Sequence, residues 1–133
     1  GMTRQDCAAV VGDESKEMYL AEIGGRPAGY ILVQMVGVLR GYIQIVAVKP
    51  EWRGKGVGRG LLAFAEKRIF RDAPNVFICA SSFNIRARKL YESVGFTAIG
   101  ELQDYLVRGH SEILLRKTIG PWADFKPGRR RSS

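Results

Sequence analysis

Cysteine is scarce in this chain, which has only Cys7 and Cys79 among its 133 residues. Their wide separation is not the spacing of a metal site, so the sequence predicts neither a metal centre nor a disulfide framework. Cys79 lies in an apolar run, where a reduced and buried thiol is expected. The core therefore has to form by apolar packing, and the length is sufficient for one domain that does so.

Long apolar runs are also missing. No stretch approaches the roughly 20 apolar residues that a membrane-spanning helix needs. The N-terminus lacks the basic, apolar and small-residue order of a signal peptide. We therefore expect a cytoplasmic protein that has no membrane partner.

Basic residues are in excess, with 21 Lys and Arg against 13 Asp and Glu and a formal net charge of +8. This makes an anionic partner worth considering. Part of the excess lies at the C-terminus, where Lys126 and residues 129–131 adjoin Pro127 and Gly128 in a composition typical of a solvated tail. The predicted organisation is a short lead (1–18), one core domain (19–118) and a basic, flexible tail (119–133). Nucleic-acid binding through the tail is an alternative that we do not expect.

Six strands are predicted. Tyr19 to Ile23 and Arg26 to Met35 flank a Gly-Gly pair and predict a hairpin. Gly41 to Val48 is apolar on both faces, which is typical of a central strand. The other three strands are Asn75 to Ala80, Phe96 to Tyr105 and Glu112 to Lys117, of which the last two should pair antiparallel.

Two helices separate these strands. In the first, from Val57 to Ile69, apolar residues recur every fourth position. The second starts near Asn84, and its expected core-facing residues are Ile85, Leu90 and Val94. The fold class is α+β: a mixed, mostly antiparallel sheet with one parallel crossover, in three layers with helices on both faces.

A glycine-rich turn, RGKGVG from Arg53 to Gly58, joins a predicted strand to the first helix. Glycines let backbone amides approach an anion closely, and the first helical turn adds unpaired N–H donors and a positive dipole end. Arg53, Lys55 and Arg59 add formal charge. The turn therefore predicts a phosphate site, with a merely flexible loop as the alternative.

The register of this turn excludes two common phosphate motifs. A P-loop requires Ser or Thr after Gly-Lys, but Gly56 follows Gly54-Lys55. A dinucleotide fingerprint requires a third glycine where Arg59 or Leu61 stands.

The second helix carries a stripe of polar residues, because Asn84, Arg88 and Tyr91 are separated by four and three positions. Tyr91 could protonate a departing thiolate, since its reference pKa near 10 exceeds that of a thiol near 8.5. Alternatively, its ring only packs and its hydroxyl is hydrogen-bonded. Asn84 could cap the helix or contact a ligand, and Arg88 could bind a phosphate or only be solvated.

Two blocks of the sequence resemble the GNAT superfamily, the Gcn5-related N-acetyltransferases. One is Arg53-x-x-Gly56-x-Gly58. The other is NIRARKLYESVGF from Asn84 to Phe96, similar to the family block Asn-x-x-Ala-x-x-Leu-Tyr-x-x-x-Gly-Phe. The resemblance extends from about Tyr19 to Lys117 and favours an acid role for Tyr91.

The resemblance implies that acetyl-CoA binds along the strand of Val46, Ala47 and Val48, where neighbouring strands splay apart, with its acetyl group near Ala47. It also implies that the glycine-rich turn wraps the pyrophosphate and that no metal takes part. A neutral amine then attacks the thioester directly, a backbone N–H stabilises the oxyanion, and Tyr91 protonates the sulfur. The implied cofactor contacts are Val46, Ala47, Val48, Arg53, Gly54, Lys55, Gly56, Val57, Gly58, Arg59, Asn84 and Arg88.

The general base is unassigned, because Tyr42, Gln44 and Cys79 stand where many family members have Glu. The candidate bases on the last two strands and in their connection are Glu101, Asp104, His110 and Glu112. For each of them the alternative is that it is only a solvated loop residue. The acceptor is a small-molecule or protein amine. A non-catalytic module that binds acetyl-CoA is the alternative function.

Only about eighteen residues precede the predicted hairpin, whereas family members usually have a strand and two helices there. These helices form one wall of the acceptor groove. We therefore expect either an open acceptor site or one that is completed by a second copy of the chain, and we predict a homodimer.

Overall fold

The computed structural model describes residues 6–8 and 15–127. The helices and strands, numbered here in chain order, are β1 (Asp6–Ala8), β2 (Lys16–Ile23), β3 (Arg26–Gln34), β4 (Tyr42–Val48), α1 (Val57–Ile69), β5 (Asn75–Ser81), α2 (Ile85–Ser93), β6 (Thr97–Gln103) and β7 (Ser111–Thr118). Two 3-10 turns, Pro50–Trp52 and Trp122–Asp124, lie outside these elements. All six predicted strands and both predicted helices are present.

The predicted boundaries need three corrections. β2 starts at Lys16, three residues before the predicted Tyr19, and β6 ends at Gln103 because the chain turns at Asp104, which has a positive φ of 53°. β1 lies within the predicted lead and pairs with β2. A three-residue strand carries too little periodicity to be recognised from sequence.

One seven-stranded sheet, in the order β1-β2-β3-β4-β5-β7-β6, organises the chain. The pair of β4 and β5 is parallel, and every other neighbouring pair is antiparallel. This confirms the predicted mixed sheet with one parallel crossover, which α1 supplies between β4 and β5.

Both helices pack on the same face of the sheet, called here the helix face. Lys117 on β7 donates hydrogen bonds of 2.8 Å to Glu66 on α1 and to the carbonyl of Val94 just after α2. The third layer expected from the sequence is therefore not found in residues 15–127. The sequence predicts only two helices, and both connect strands on the helix face of the sheet.

The core lies between the sheet and these helices. Its fully buried side chains include Ile31, Ile43, Leu61, Leu62, Ile69 and Leu115. Arg68 on α1 forms an ion pair with Glu17 on β2, with 2.7 Å between Arg68 Nε and Glu17 Oε1. Neither described helix is long and apolar enough to cross a membrane.

Candidate functional site

Strands β4 and β5 separate partway along their length. They pair at Tyr42 with Phe77 and at Ile43 with Ile78, and the pairing ends there. β4 continues to Val48, paired on its other side with β3. Val46, Ala47 and Val48, which were predicted to contact a cofactor, therefore lie along the open gap, and each is partly exposed.

An irregularity on β4 coincides with the start of this gap. Leu32 on β3 opposes Ile45, whereas the next residue, Val33, opposes Ile43, so Gln44 is an extra residue on β4. A bulge of this kind bends the strand and leaves one residue outside the ladder. Backbone groups of β4 near the bulge are thereby free to bind an extended ligand.

The glycine-rich turn lies at the far end of the gap. Gly54 and Gly56 have positive φ angles of 74° and 88°, and a Cβ atom on either would meet no atom within 4 Å. Gly56 caps α1 without a side-chain hydrogen bond, and the first helical bond runs from Gly60 N–H to the Gly56 carbonyl. The N–H groups of residues 57–59 therefore precede the first bond of α1 and are oriented as donors to an anion.

Basic side chains surround this turn. Arg53, Lys55 and Arg59 are exposed, and the Arg59 guanidinium donates to Ser93 Oγ on α2 at 3.0 Å. Arg88 pairs with Glu92 at 3.3 Å. Val57 is buried in the core, so its backbone N–H, and not its side chain, can contact a ligand. A Cβ atom added at Gly58 would lie 3.5 Å from Leu90 Cδ2.

Helix α2 differs from its predicted orientation. Ile85, expected to face the core, is 61% exposed, whereas Tyr91 is 9% exposed and is the buried residue of the helix. Asn84 caps the helix by accepting from the Ala87 N–H at 3.1 Å, which confirms its predicted capping role.

Tyr91 combines a buried ring with a free hydroxyl. The ring centroid lies 6.2 Å from that of Phe96, and burial raises the pKa of Tyr91 above its ordinary value of 10. The hydroxyl forms no hydrogen bond to any described residue. Since no buried side-chain N or O atom lacks a partner in the described part of the chain, this oxygen remains in contact with solvent. The alternative in which the hydroxyl is held by another residue is therefore not observed.

The face of the sheet opposite the helices carries a cavity of about 320 Å³ and is called here the cavity face. The residues that line the cavity are Gln34, Val36, Gly37, Val38, Leu39, Tyr42, Cys79, Leu102, Tyr105 and Leu114. Burial raises the pKa of Tyr42, with a further contribution from the neighbouring Cys79 side chain, and burial also raises the pKa of Cys79. Except for Tyr42 and Cys79, these residues were not predicted, because the sequence does not fix which residues of different strands share a face.

The four candidate bases occupy different environments. Glu101 and Asp104 are exposed, and Asp104 accepts from the Gly109 N–H. His110 is exposed with its ring 5.2 Å from Phe83. Glu112 is 8% exposed and accepts a hydrogen bond of 2.6 Å from Ser81 Oγ. No cluster of three or more His, Cys, Asp or Glu that could hold a metal occurs among the described residues.

Comparison with known families and proteins gives one consistent result. The model of the acetyltransferase (GNAT) family matches residues 2–96. An uncharacterized N-acetyltransferase of Methanocaldococcus jannaschii is 38% identical over 101 residues, which are 74% of this chain and 64% of that protein. The chain thus spans less than two thirds of the length of this relative.

Solved structures share the fold at low sequence identity. The ribosomal-protein-S18-alanine N-acetyltransferase of Escherichia coli matches with a TM-score of 0.73 and 22% identity, covering 84% of this chain and 74% of the other. An acetyltransferase of Bacillus anthracis solved with acetyl coenzyme A matches with a TM-score of 0.74 and 22% identity, covering 83% and 66%. At these identities the likeness shows the fold alone.

Proposed function

This chain belongs to the acetyltransferase (GNAT) family, and we propose that it transfers an acetyl group from acetyl-CoA to a primary amine. The observation that supports this most is the separation of β4 from β5, with the glycine-rich turn at its end. The gap suits an extended arm, and the turn suits the pyrophosphate to which that arm is attached.

The protein has groups that suit both the phosphates and the pantetheine arm of acetyl-CoA. The N–H donors of residues 57–59 and the side chains of Arg53, Lys55 and Arg59 suit the phosphates. The backbone of residues 46–48 suits the amide groups of the pantetheine arm. Asn84 and Arg88 are additional proposed contacts at α2. Asn84 is exposed and Arg88 is partly exposed, although Asn84 also caps the helix and Arg88 pairs with Glu92.

The proposed reaction is direct transfer in a ternary complex. A neutral amine attacks the thioester carbonyl near Ala47, a C–N bond forms, and the C–S bond breaks. A backbone N–H of β4 stabilises the oxyanion. Tyr91 gives its proton to the departing sulfur, the amine loses its excess proton to solvent, and Tyr91 regains a proton from solvent.

Calorimetry with acetyl-CoA, followed by thiol release with a panel of amines, tests this function. We expect acetyl-CoA to bind and thiol to be released faster with an amine than without. Tyr91→Phe, which keeps the buried ring, should lower kcat by about 100-fold at unchanged acetyl-CoA affinity. Binding without transfer to any amine would favour the non-catalytic module, and absence of binding at millimolar acetyl-CoA would exclude both.

The homodimer remains a proposal. On the cavity face, Met18, Leu20, Tyr30 and Leu32 are only partly buried within the described chain, and apolar surface of this kind favours association. Light scattering coupled to size-exclusion chromatography measures the mass directly, and a monomer at all concentrations would contradict the proposal.

A further inference from the structure

Glu112 is the one charged residue in the described chain that is buried, at 8% exposure. Its carboxylate accepts from Ser81 Oγ at 2.6 Å, and no described Lys, Arg or His forms an ion pair with it. Charged side chains are seldom buried without a partner of opposite sign, because desolvation of a charge is costly. Among the described residues, the Glu112 carboxylate therefore has no cationic partner.

The cavity described above lies beside this carboxylate. Glu112 pairs across the sheet with Ser81 and Leu102, so these three side chains lie on one face, together with Leu114 two positions along β7. Leu102 and Leu114 line the cavity, and the charge of Glu112 contributes to the raised pKa values of Tyr42 and Cys79, which also line it.

The same carboxylate lies at the part of the sheet where β4 and β5 are apart. Ser81, its hydrogen-bond donor, ends β5 three residues beyond Ile78, the last residue of β5 that pairs with β4. A group bound at Glu112 is therefore on the cavity face, next to the gap in which the thioester is proposed to lie.

We propose that Glu112 binds the ammonium group of the acceptor, which then releases one proton to solvent and attacks the thioester as the neutral amine. The acceptor is a cationic amine with an apolar body and no carboxylate of its own. Val36, Val38, Leu39, Leu102 and Leu114 form the apolar walls of the cavity. An acceptor with its own carboxylate would place two negative charges close together in a poorly hydrated site. This assignment rests on the proposed acetyl transfer and names the substrate class for it.

Phenethylamine and phenylalanine test this assignment, because they share a skeleton and differ by one carboxylate. We expect wild-type protein to acetylate phenethylamine with the higher kcat/KM. Glu112→Gln preserves the shape and the acceptor for Ser81 but removes the charge. It should lower kcat/KM for phenethylamine by at least about 10-fold and reduce the preference over phenylalanine, with the Kd of acetyl-CoA unchanged.

Thermal unfolding separates a binding role from a structural one. If the Glu112 carboxylate gains a cationic partner only when the ligand binds, the ligand-free Glu112→Gln protein should melt at the same or a higher temperature than wild type. A lower Tm together with unchanged kinetics would overturn the proposal. Asp124→Asn is the control, since it removes an exposed carboxylate near Pro74, at the opposite end of β5 from Ser81, and it should leave both quantities unchanged.

A second variant keeps the proposal testable if Glu112→Gln does not fold. Tyr105 lines the cavity and is 60% exposed, so Tyr105→Ala should be tolerated. It should raise the KM for phenethylamine several-fold and leave that for ethylamine unchanged. Equal effects on both amines would contradict an apolar subsite here.

Direct titration of phenethylamine distinguishes failure of this proposal from failure of the proposed function. If acetyl-CoA does not bind, the acetyltransferase function fails, but wild-type protein should still bind phenethylamine at least about 10-fold more tightly than Glu112→Gln. Equal affinity, or no binding to either protein, would overturn the assignment of Glu112.

Discussion

At Tyr91, burial keeps the hydroxyl protonated over the whole neutral range, because its pKa is raised above 10. A general acid must be protonated to act, so activity is lost only as pH rises through this raised pKa. We therefore expect kcat at saturating amine to show no decline from pH 7 to about pH 10. A decline centred near pH 8 would argue against Tyr91 as the acid.

The corresponding control is Tyr30→Phe, which removes a hydroxyl from β3. It should reproduce the wild-type profile, whereas Tyr91→Phe should show a low rate with no tyrosine-dependent limb at high pH. Measuring thiol release at each pH with a stopped assay avoids any effect of pH on a coupled enzyme.

Single residues were predictable where the chemistry is local. The capping role of Asn84 depends only on the following residues of its own helix, and the positive φ of Gly54 and Gly56 only on the turn. The burial of Glu112 depends instead on the register between β5 and β7, which no local pattern encodes. For the same reason, the sequence could not distinguish Glu112 from Glu101.

At the scale of elements, the turn before α1 combines a backbone requirement with a binding requirement. Gly56→Ala should destabilise the protein by about 1 kcal/mol, because a side chain is strained at φ 88°. The added methyl group also points into the open space that the pyrophosphate is proposed to use. We therefore expect the Kd of acetyl-CoA to rise by about 10-fold or more in calorimetric titration.

Gly25→Ala is a matched control, because Gly25 has a φ of 79° in the β2–β3 turn and open space around its Cβ position. It should have a similar stability cost and no effect on acetyl-CoA binding. Equal affinities of the two variants for acetyl-CoA would show that the turn before α1 is only structural.

The contact between β2 and α1 makes stability depend on pH. Burial opposes the negative charge of Glu17, but hydrogen bonds from Arg68 and Tyr19 outweigh burial and lower its pKa. A carboxylate with a lowered folded pKa stabilises the protein above its unfolded pKa, and this contribution is lost as pH falls through the folded value.

Glu17→Gln should therefore lower the free energy of unfolding at pH 7 by about 1 kcal/mol, or roughly 4 °C in Tm. The difference from wild type should shrink below about pH 4. Exposed Glu101, changed to Gln, is the control. A difference that stays constant from pH 3 to 7 would mean that packing, and not charge, explains the effect.

Elements were predictable in type and order, since helix and strand periodicities are properties of short segments. The separation of β4 from β5 was expected only from the family resemblance. The side of the sheet on which each helix packs was not predictable, because it depends on contacts such as Lys117 with Glu66 and Val94, which join distant segments. For this reason the sequence could not predict that both described helices pack on one face of the sheet.

At the scale of the whole molecule, the two faces of the sheet divide the proposed reaction. The helix face carries α1 and α2, which present the glycine-rich turn and Tyr91 to the donor. The cavity face carries Glu112 and the apolar cavity for the acceptor. The gap between β4 and β5 is the opening through which a donor on one face and an acceptor on the other can meet.

The net charge of +8 attracts acetyl-CoA, which is anionic, and repels the proposed acceptor, which is cationic. Salt screens long-range attraction and repulsion alike, whereas the partly buried contact at Glu112 is screened less. Between about 0.05 and 0.5 M KCl, we therefore expect the Kd of acetyl-CoA to rise several-fold and the KM for phenethylamine to fall.

Removal of residues 128–133 lowers the formal charge from +8 to +5, since Arg129, Arg130 and Arg131 are lost. Both salt dependences should weaken while keeping their signs, because Arg53, Lys55 and Arg59 remain at the turn. Calorimetry at two salt concentrations on the full and shortened chains measures this. Loss of acetyl-CoA binding on truncation would mean that the tail, and not the glycine-rich turn, holds the phosphates. A KM for phenethylamine that rises with salt would mean that attraction by Glu112 outweighs the repulsion from the rest of the molecule even at long range.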